Sequence, residues 1–227
     1  MDALKAGNAI HTVFLRENAA DSSLAQEAEA ICARSDVRIA VLADELFDRL
    51  SETEHSQGVL ATACKSIPHE LTGPAVVLDR LQDPGNIGTI IRTAEAAGFH
   101  ALIAIKGTGD IYSPKTARAA AGSLLRVDVF EGMETAEAIR LCTEKGLRII
   151  ASDLDGAVDY TEADLHGNIA LVIGNEGSGV SGQIRGAADT KVKIPMEGNI
   201  ESLNAAAAAA VLMYEAARQR RAAGKAE

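Results

Sequence analysis

From Ala75 onward the chain repeats one pattern: a run of a few apolar residues, a polar turn, then a stretch with apolar residues at helical spacing. Short apolar runs bounded by turn residues read as buried strands, and a 3.6-residue period reads as an amphipathic helix. Strands are expected at Ala75–Leu78, Ala101–Ile105, Val127–Phe130, Arg148–Ser152, Ile169–Ile173 and Val192–Ile194. Helices are expected between and after them, at Asn86–Ala97, Pro114–Ala121, Thr135–Lys145, Ser181–Ala187 and Ser202–Arg221. Such alternation implies an α/β fold, a parallel sheet with helices on its faces. Ligands in these sheets bind beyond the carboxyl ends of the strands. The polar sequences fall there, after Leu78, Ser152, Ile173 and Ile194.

The first 64 residues carry a smaller βαβαβ pattern. Its expected strands are Ile10–Leu15, Val37–Leu42 and Val59–Ala63, and its helices Ser23–Arg34 and Ala43–Ser51. Lys65–Pro74 contains Pro68, Gly73 and Pro74 with little apolar content and reads as a connection. The chain therefore divides into a small α/β domain at 1–66, a linker at 67–74 and a larger domain at 75–227. So little precedes Ile10 that the first domain is expected to be truncated at its N-terminus. At the other end, RQRRAAGKAE from Arg218 reads as a solvated or frayed helix end whose cations suit the helix dipole.

Charge and cysteine usage exclude several functions. With 32 acidic and 22 basic residues the net charge is −10, which excludes polyanion binding through bulk charge but leaves room for a local basic patch. Cys32, Cys64 and Cys142 form no CxxC pair, and the five histidines form no HExxH, so neither a disulfide framework nor a metal site is expected. No 18-residue apolar run and no basic-then-apolar leader is present, so the chain reads as cytoplasmic.

Three constellations stand at the sheet's expected ligand edge. In LDRLQDPGNIGTIIRTAEAAG (Leu78–Gly98), Pro84–Gly85–Asn86 makes a turn, Asn86 can cap the next helix, and Arg92 lies inside an otherwise apolar helix. Arg92 is either paired with Glu95 on the surface or aimed at a phosphate or carboxylate. In LVIGNEGSGVSG (Leu171–Gly182), Gly177, Gly179 and Gly182 spell G-x-G-x-x-G. A dinucleotide site is rejected, because Gly174, Asn175 and Glu176 separate the strand from the first glycine and the next helix is short. In IPMEGNIESLN (Ile194–Asn204), Pro195 and Gly198 break regular structure, and Ser202 and Asn204 stand at the mouth of an Ala-rich helix that Ser202 could cap. Such a helix mouth presents unpaired N–H groups to a ligand.

In order, NxGxxxR, GNEGxG and IPMxGxxxSLN strongly resemble the three motifs of the SpoU family of RNA ribose 2′-O-methyltransferases, of the SPOUT superfamily. The resemblance covers residues 75–227 and extends to SPKTARAAAGSLLRV (Ser113–Val127). HSQGVLAT (His55–Thr62) is similar to the ribosomal-protein-like substrate-binding domain of many members.

The resemblance implies a trefoil-knotted C-terminal domain, a homodimer joined through the knot helices, and S-adenosylmethionine as cofactor with no metal. It implies cofactor binding by Ile173, Gly174, Asn175, Gly179, Ile194, Met196, Ser202 and Leu203, much of it through backbone groups. It implies catalytic roles for Asn86, Arg92, Glu176, Ser202 and Asn204. The family proposal of Arg92 as a base conflicts with a guanidinium being a poor proton acceptor, so orienting an RNA phosphate is the safer role. Glu176 is expected to orient Arg92 or another group. RNA would meet Arg92 and a local strip of Lys115, Arg118 and Arg126, which could equally be solvated helix charges. The N-terminal domain favours ribosomal RNA. A transfer RNA methyltransferase, or an assembly factor of this fold without turnover, are the alternatives. Six alanines, Ala205–Ala210, stand where more β-branched residues are expected, which bears on packing and the dimer contact.

Overall fold

The computed structural model describes residues 10–35, 37–51, 56–65, 68, 70–155 and 157–224. His55, the linker residues Ile67 and His69, and the segments 1–9 and 225–227 lie outside the described residues. The chain forms two units, Met1–Ser66 and Ile67–Glu227.

In the first unit β1 (Ile10–Arg16), α1 (Ser23–Cys32), β2 (Arg38–Leu42), α2 (Asp44–Leu50) and β3 (Val59–Ala63) follow the expected order. The sheet order is β2-β1-β3. β2 is parallel to β1, but β3 is antiparallel, pairing Val59 with Leu15 and Ala63 with Ile10. The βαβαβ order, which by itself suggests parallel strands, thus forms a mixed sheet. β3 starts beside the end where β2 leaves, since Val59 pairs with Leu15 and Leu42 with the adjacent Arg16. Val13, Leu15, Ala25, Ala28 and Phe47 form this unit's buried centre.

The second unit runs β4 (Ala75–Asp79), α3 (Pro84–Ala96), β5 (Ala101–Ile105), α4 (Pro114–Ala120), β6 (Asp128–Met133), α5 (Thr135–Glu144), β7 (Arg148–Ser152), β8 (Val158–Asp159), β9 (Ile169–Gly174), α6 (Gly182–Ala187), β10 (Thr190–Lys193) and α7 (Ala205–Ala223). Its seven strands lie in the order β6-β5-β4-β9-β7-β10-β8, every pair parallel. The two-residue edge strand β8 has too little pattern to be legible in sequence. Alternation along β4 sends Val76 and Leu78 into a core with α3 and α7, and Ala75 and Val77 into a second core with α5 and α6. Helices thus cover both faces. Cys32 and Cys142 are buried free thiols, and burial pushes Cys142 up to about 11.

Two helix starts differ from expectation. α3 is capped by Asp83, whose Oδ1 accepts from Asn86 N at 2.8 Å, and not by Asn86. Pro84 takes the first helical position, where its missing N–H costs nothing. α7 starts at Ala205, capped by Asn204 rather than Ser202; Asn204 Oδ1 accepts from the N–H groups of Ala206 and Ala207 at 2.9 and 3.3 Å. The basic end is solvated as expected, Arg218 and residues 221–224 being exposed, but it is helical to Ala223 rather than frayed. Arg220 lies 4.9 Å from the Phe99 ring centroid and donates to Ala97 O at 2.5 Å, so a cation–π contact and the last turn of α3 hold α7 to Ala223. Among the described residues no helix is long and apolar enough to cross a membrane.

Gly88 lets α3 lie directly on α4. A Cβ there would stand 2.5 Å from both Ala119 Cβ and Thr116 O. Gly88→Ala is expected to destabilise the second unit by about 1–3 kcal/mol through overpacking, read as a lower denaturant midpoint with unchanged m-value.

Candidate active site

The carboxyl ends of β4, β7, β9 and β10 lead into the polar loops singled out in the sequence. After β9 the chain doubles back on itself. Asn175 and Gly179 exchange backbone hydrogen bonds of 3.1 and 2.9 Å, while Asn175 Oδ1 accepts from the N–H groups of Gly177 and Ser178 at 3.0 Å. Asn175 Nδ2 donates to Arg80 O at 2.9 Å, tying this loop to the end of β4. Gly174 is required by close approach, since an added Cβ would lie 2.3 Å from Gly179 C.

The loop faces a cavity of about 700 Å³, within the range of small-molecule sites. Ile173, Ile194, Leu203 and Leu212 supply apolar wall. All eight residues expected to bind cofactor line it: Ile173, Gly174, Asn175, Gly179, Ile194, Met196, Ser202 and Leu203. The charged lining is Asp153, Asp155, Glu176 and Glu201 against Arg185 and Lys193. A surplus of carboxylates favours a ligand carrying positive charge over a pyrophosphate. The α6 N-terminus agrees, because Asp79 Oδ2 already accepts from Ser181 N at 2.6 Å where a phosphate would need that donor.

At the edge of the cavity one network joins three of the expected catalytic residues. Glu176 Oε2 accepts from Gln82 N, and its Oε1 from Asp83 N and Asn86 Nδ2, each at 3.2 Å. Asn86 Oδ1 accepts from Asn204 Nδ2 at 2.9 Å. The amide orientations follow from chemistry. Asn204 Oδ1 serves two backbone donors, so its Nδ2 faces Asn86, which must present its oxygen there and its Nδ2 to the carboxylate. Desolvation raises the Glu176 carboxyl, but its own backbone N–H and the donors of Asp83, Asn86 and Gln82 outweigh that and hold it below the usual range. Glu176 is therefore an ionised acceptor.

Ser202 lines the same cavity, but Asn86 and Arg92 are not among its lining residues. Asn86 reaches it through Glu176 and Asn204. Arg92 lies six residues further along α3, about 9 Å of helix rise, on another face. It is exposed and has no hydrogen-bond or ion-pair partner among the described residues. Neither expected partner holds it: Glu176 binds the start of α3, and Glu95 pairs with Arg126, whose Nη2 donates to Glu95 Oε2 at 2.9 Å. The Arg126 charge is thereby committed. Lys115 and Arg118 are exposed on α4, with Lys115 Nζ 3.7 Å from Asp83 Oδ2.

Known proteins match this chain over both units. The model described as the SpoU rRNA Methylase family matches residues 73–214, and that described as RNA 2′-O ribose methyltransferase substrate binding matches residues 1–67. This chain belongs to the SpoU rRNA methylase family. A relative named 23S rRNA (guanosine(2553)-2′-O)-methyltransferase RlmP, from Bacillus subtilis (strain 168), is 36% identical over 177 residues, covering 77% of this chain and 70% of its own. The 23S rRNA (guanosine-2′-O-)-methyltransferase RlmB of Ralstonia nicotianae is 34% identical, covering 81% of this chain and 78% of its own. The SpoU methyltransferase AviRb from Streptomyces viridochromogenes, crystallised with AdoMet, superposes with a TM-score of 0.81 at 31% identity, covering 96% of this chain and 86% of its own.

The SpoU motifs omit several residues that build this site. Asp79 is fully buried and holds Ser181 N and Arg80. Asp153 and Arg185 form an ion pair at 2.8 Å that joins the loop after β7 to α6. Asp83 before Pro84 carried a readable capping signal; the Asp153–Arg185 pair carried none.

Glu176→Gln is expected to lower the unfolding midpoint near neutral pH. The depressed folded pKa means that the carboxylate's contribution is present above its unfolded value of about 4.3. It is lost as pH falls through the folded value, so the gap between parent and variant closes in acid. Denaturant titrations from neutral to acidic pH check this.

Proposed function

We propose that this protein methylates a ribose 2′-hydroxyl of structured RNA, ribosomal RNA being the substrate class, with S-adenosylmethionine as donor. The observation that carries this reading is the cavity of about 700 Å³ edged by the Glu176–Asn86–Asn204 network in a chain of the SpoU family. The residues present fit the cofactor: apolar walls suit an adenine, and the surplus of carboxylates suits its positive charges. When bound, S-adenosylmethionine supplies a methyl group on a positively charged sulfur that is its own leaving group.

In this reading Ile173, Gly174, Asn175, Gly179, Ile194, Met196 and Leu203 hold the cofactor. Glu176 fixes the start of α3, and with it Asn86. Its carboxylate already accepts three hydrogen bonds from this chain, so it serves as a positioning group rather than a base. Asn204 and Ser202 orient the ribose or the methionine end at the mouth of α7. Arg92, unpaired and exposed, holds an RNA phosphate and stabilises negative charge developing on the 2′-oxygen, since a guanidinium is a poor proton acceptor. Lys115 and Arg118 extend the contact, and Arg126 contributes only when released from Glu95. The first unit binds RNA.

The loops 173–179 and 194–203 form the trefoil knot, and the active species is a homodimer working in the cytoplasm. Exposed Leu154, Ile200 and Tyr214 supply apolar area for the dimer contact. Because the donor brings its own leaving group, the reaction needs no metal.

Transfer of labelled methyl from S-adenosylmethionine to unmodified 23S rRNA, followed by nucleoside mass spectrometry, tests the reaction; no 2′-O-methyl nucleoside would refute it. Arg92→Ala is expected to lower kcat about 100-fold or more with cofactor Kd within about twofold, and Asn204→Ala to lower kcat by at least about tenfold. Activity should persist in EDTA. Light scattering on the eluting protein should give twice the chain mass; a monomer that retains full activity removes the dimer from the mechanism.

A further inference from the structure

Arg80, which follows β4, has φ +61°. Side chains with a Cβ avoid this region, which glycine enters freely. The other positive-φ residue with a side chain among the described residues is Ala121, which closes α4 in the left-handed conformation common at helix ends. Arg80 ends a strand and closes no helix. Its backbone is held from three sides: its N–H donates to Thr108 Oγ1 at 3.2 Å, and its carbonyl accepts from Gln82 Nε2 and Asn175 Nδ2, each at 2.9 Å. Strain persists where the surroundings over-determine it, typically at functional sites.

The side chain is as firmly placed as the backbone. Its stem crosses Gly107, where an added Cβ would lie 3.4 Å from Arg80 Cγ. Its Nε donates at 3.1 Å to Oδ1 of the fully buried Asp79. Neither Nη has a partner among the described residues, and the side chain is 45% exposed. One edge of the guanidinium is gripped and the opposite edge faces outward, a donor pair shaped for a phosphate. This edge lies at the carboxyl end of β4, joined to Asn175 of the cofactor loop and two residues before Gln82, whose N–H Glu176 holds.

We propose that Arg80 is a substrate-binding residue that takes a backbone phosphate of the RNA and so presents the target ribose to Asn86 and Asn204. The inference rests on the RNA methyl transfer proposed above. The competing explanation is a purely structural counterion for Asp79, which would leave the outward edge unused.

Binding of an unmodified 23S rRNA transcript is measured against salt concentration, together with methylation kinetics, for the parent chain, Arg80→Gly and Arg80→Lys. Glycine takes the left-handed φ without strain. Removing one phosphate contact should reduce the slope of log K against log salt by about 0.7–0.9 in Arg80→Gly. KM for RNA should rise about tenfold, with cofactor Kd within about twofold. Arg80→Lys should keep the slope and recover part of KM. An unchanged slope and KM in Arg80→Gly overturns the inference, as does a loss confined to cofactor affinity. If Arg80→Gly does not fold, Arg80→Lys decides: it keeps the charge but loses the fork, so a KM equal to the parent's overturns the inference. A parent chain that neither binds nor methylates the transcript overturns the proposed function itself, and this inference with it.

Discussion

The hydrogen bonding of Glu176 is the constraint on which the site depends. One carboxylate accepts from two backbone N–H groups before α3 and from the side chain of Asn86. It joins the loop after β9 to the loop after β4, segments more than 90 residues apart in sequence. Asn86 passes the constraint to Asn204, and Asn204 to the first turn of α7. A carboxylate facing three donors stays ionised, so the orientation of each amide in the chain is determined. Three loops are thus joined by hydrogen bonds at one edge of the cavity.

Beneath this network lies a buried charge. Asp79 is fully buried and survives there because Ser181 N and Arg80 Nε satisfy its two oxygens. A lone buried carboxylate would be costly, and losing either partner would expose that cost. The same contacts draw α6 and the residue after β4 toward the cavity. Close packing does similar work without charge: Gly174 and Gly88 each occupy a place where a Cβ would collide with backbone. The site is positioned by contacts that tolerate little change in size.

The sequence revealed the α/β alternation of the second unit because its strands are short apolar runs and its helices repeat at 3.6 residues. Ala101–Ile105 and Arg148–Ser152 emerge with the expected bounds. The reversal of β3 was not legible, since periodicity says nothing of strand direction; its pairing along β1 decides it. Nor was the anchoring of Arg220 on Phe99, because a cationic tail reads as solvated until an aromatic ring is brought under it. The motif residues were legible as residue types, and those expected to hold the cofactor do line one cavity. Their pairings were not: Arg92 next to Glu95 on a helix suggested a surface pair, yet Glu95 takes Arg126, which arrives from after α4.

By itself the sequence determined the helices and all strands but β8, which residue types stand in the motif loops, and that glycines and amides gather at the carboxyl ends of strands. These are local properties, set by period and side-chain type. Tertiary structure alone decided that Asn204 rather than Ser202 caps α7, that Glu176 holds Asn86 and leaves Arg92 free, and that Arg80 is gripped in a left-handed conformation. Each is a choice among hydrogen-bond partners far apart along the chain, such as Asn86 and Asn204 at a separation of 118 residues. Distance after folding selects the partner, and no local pattern encodes that distance.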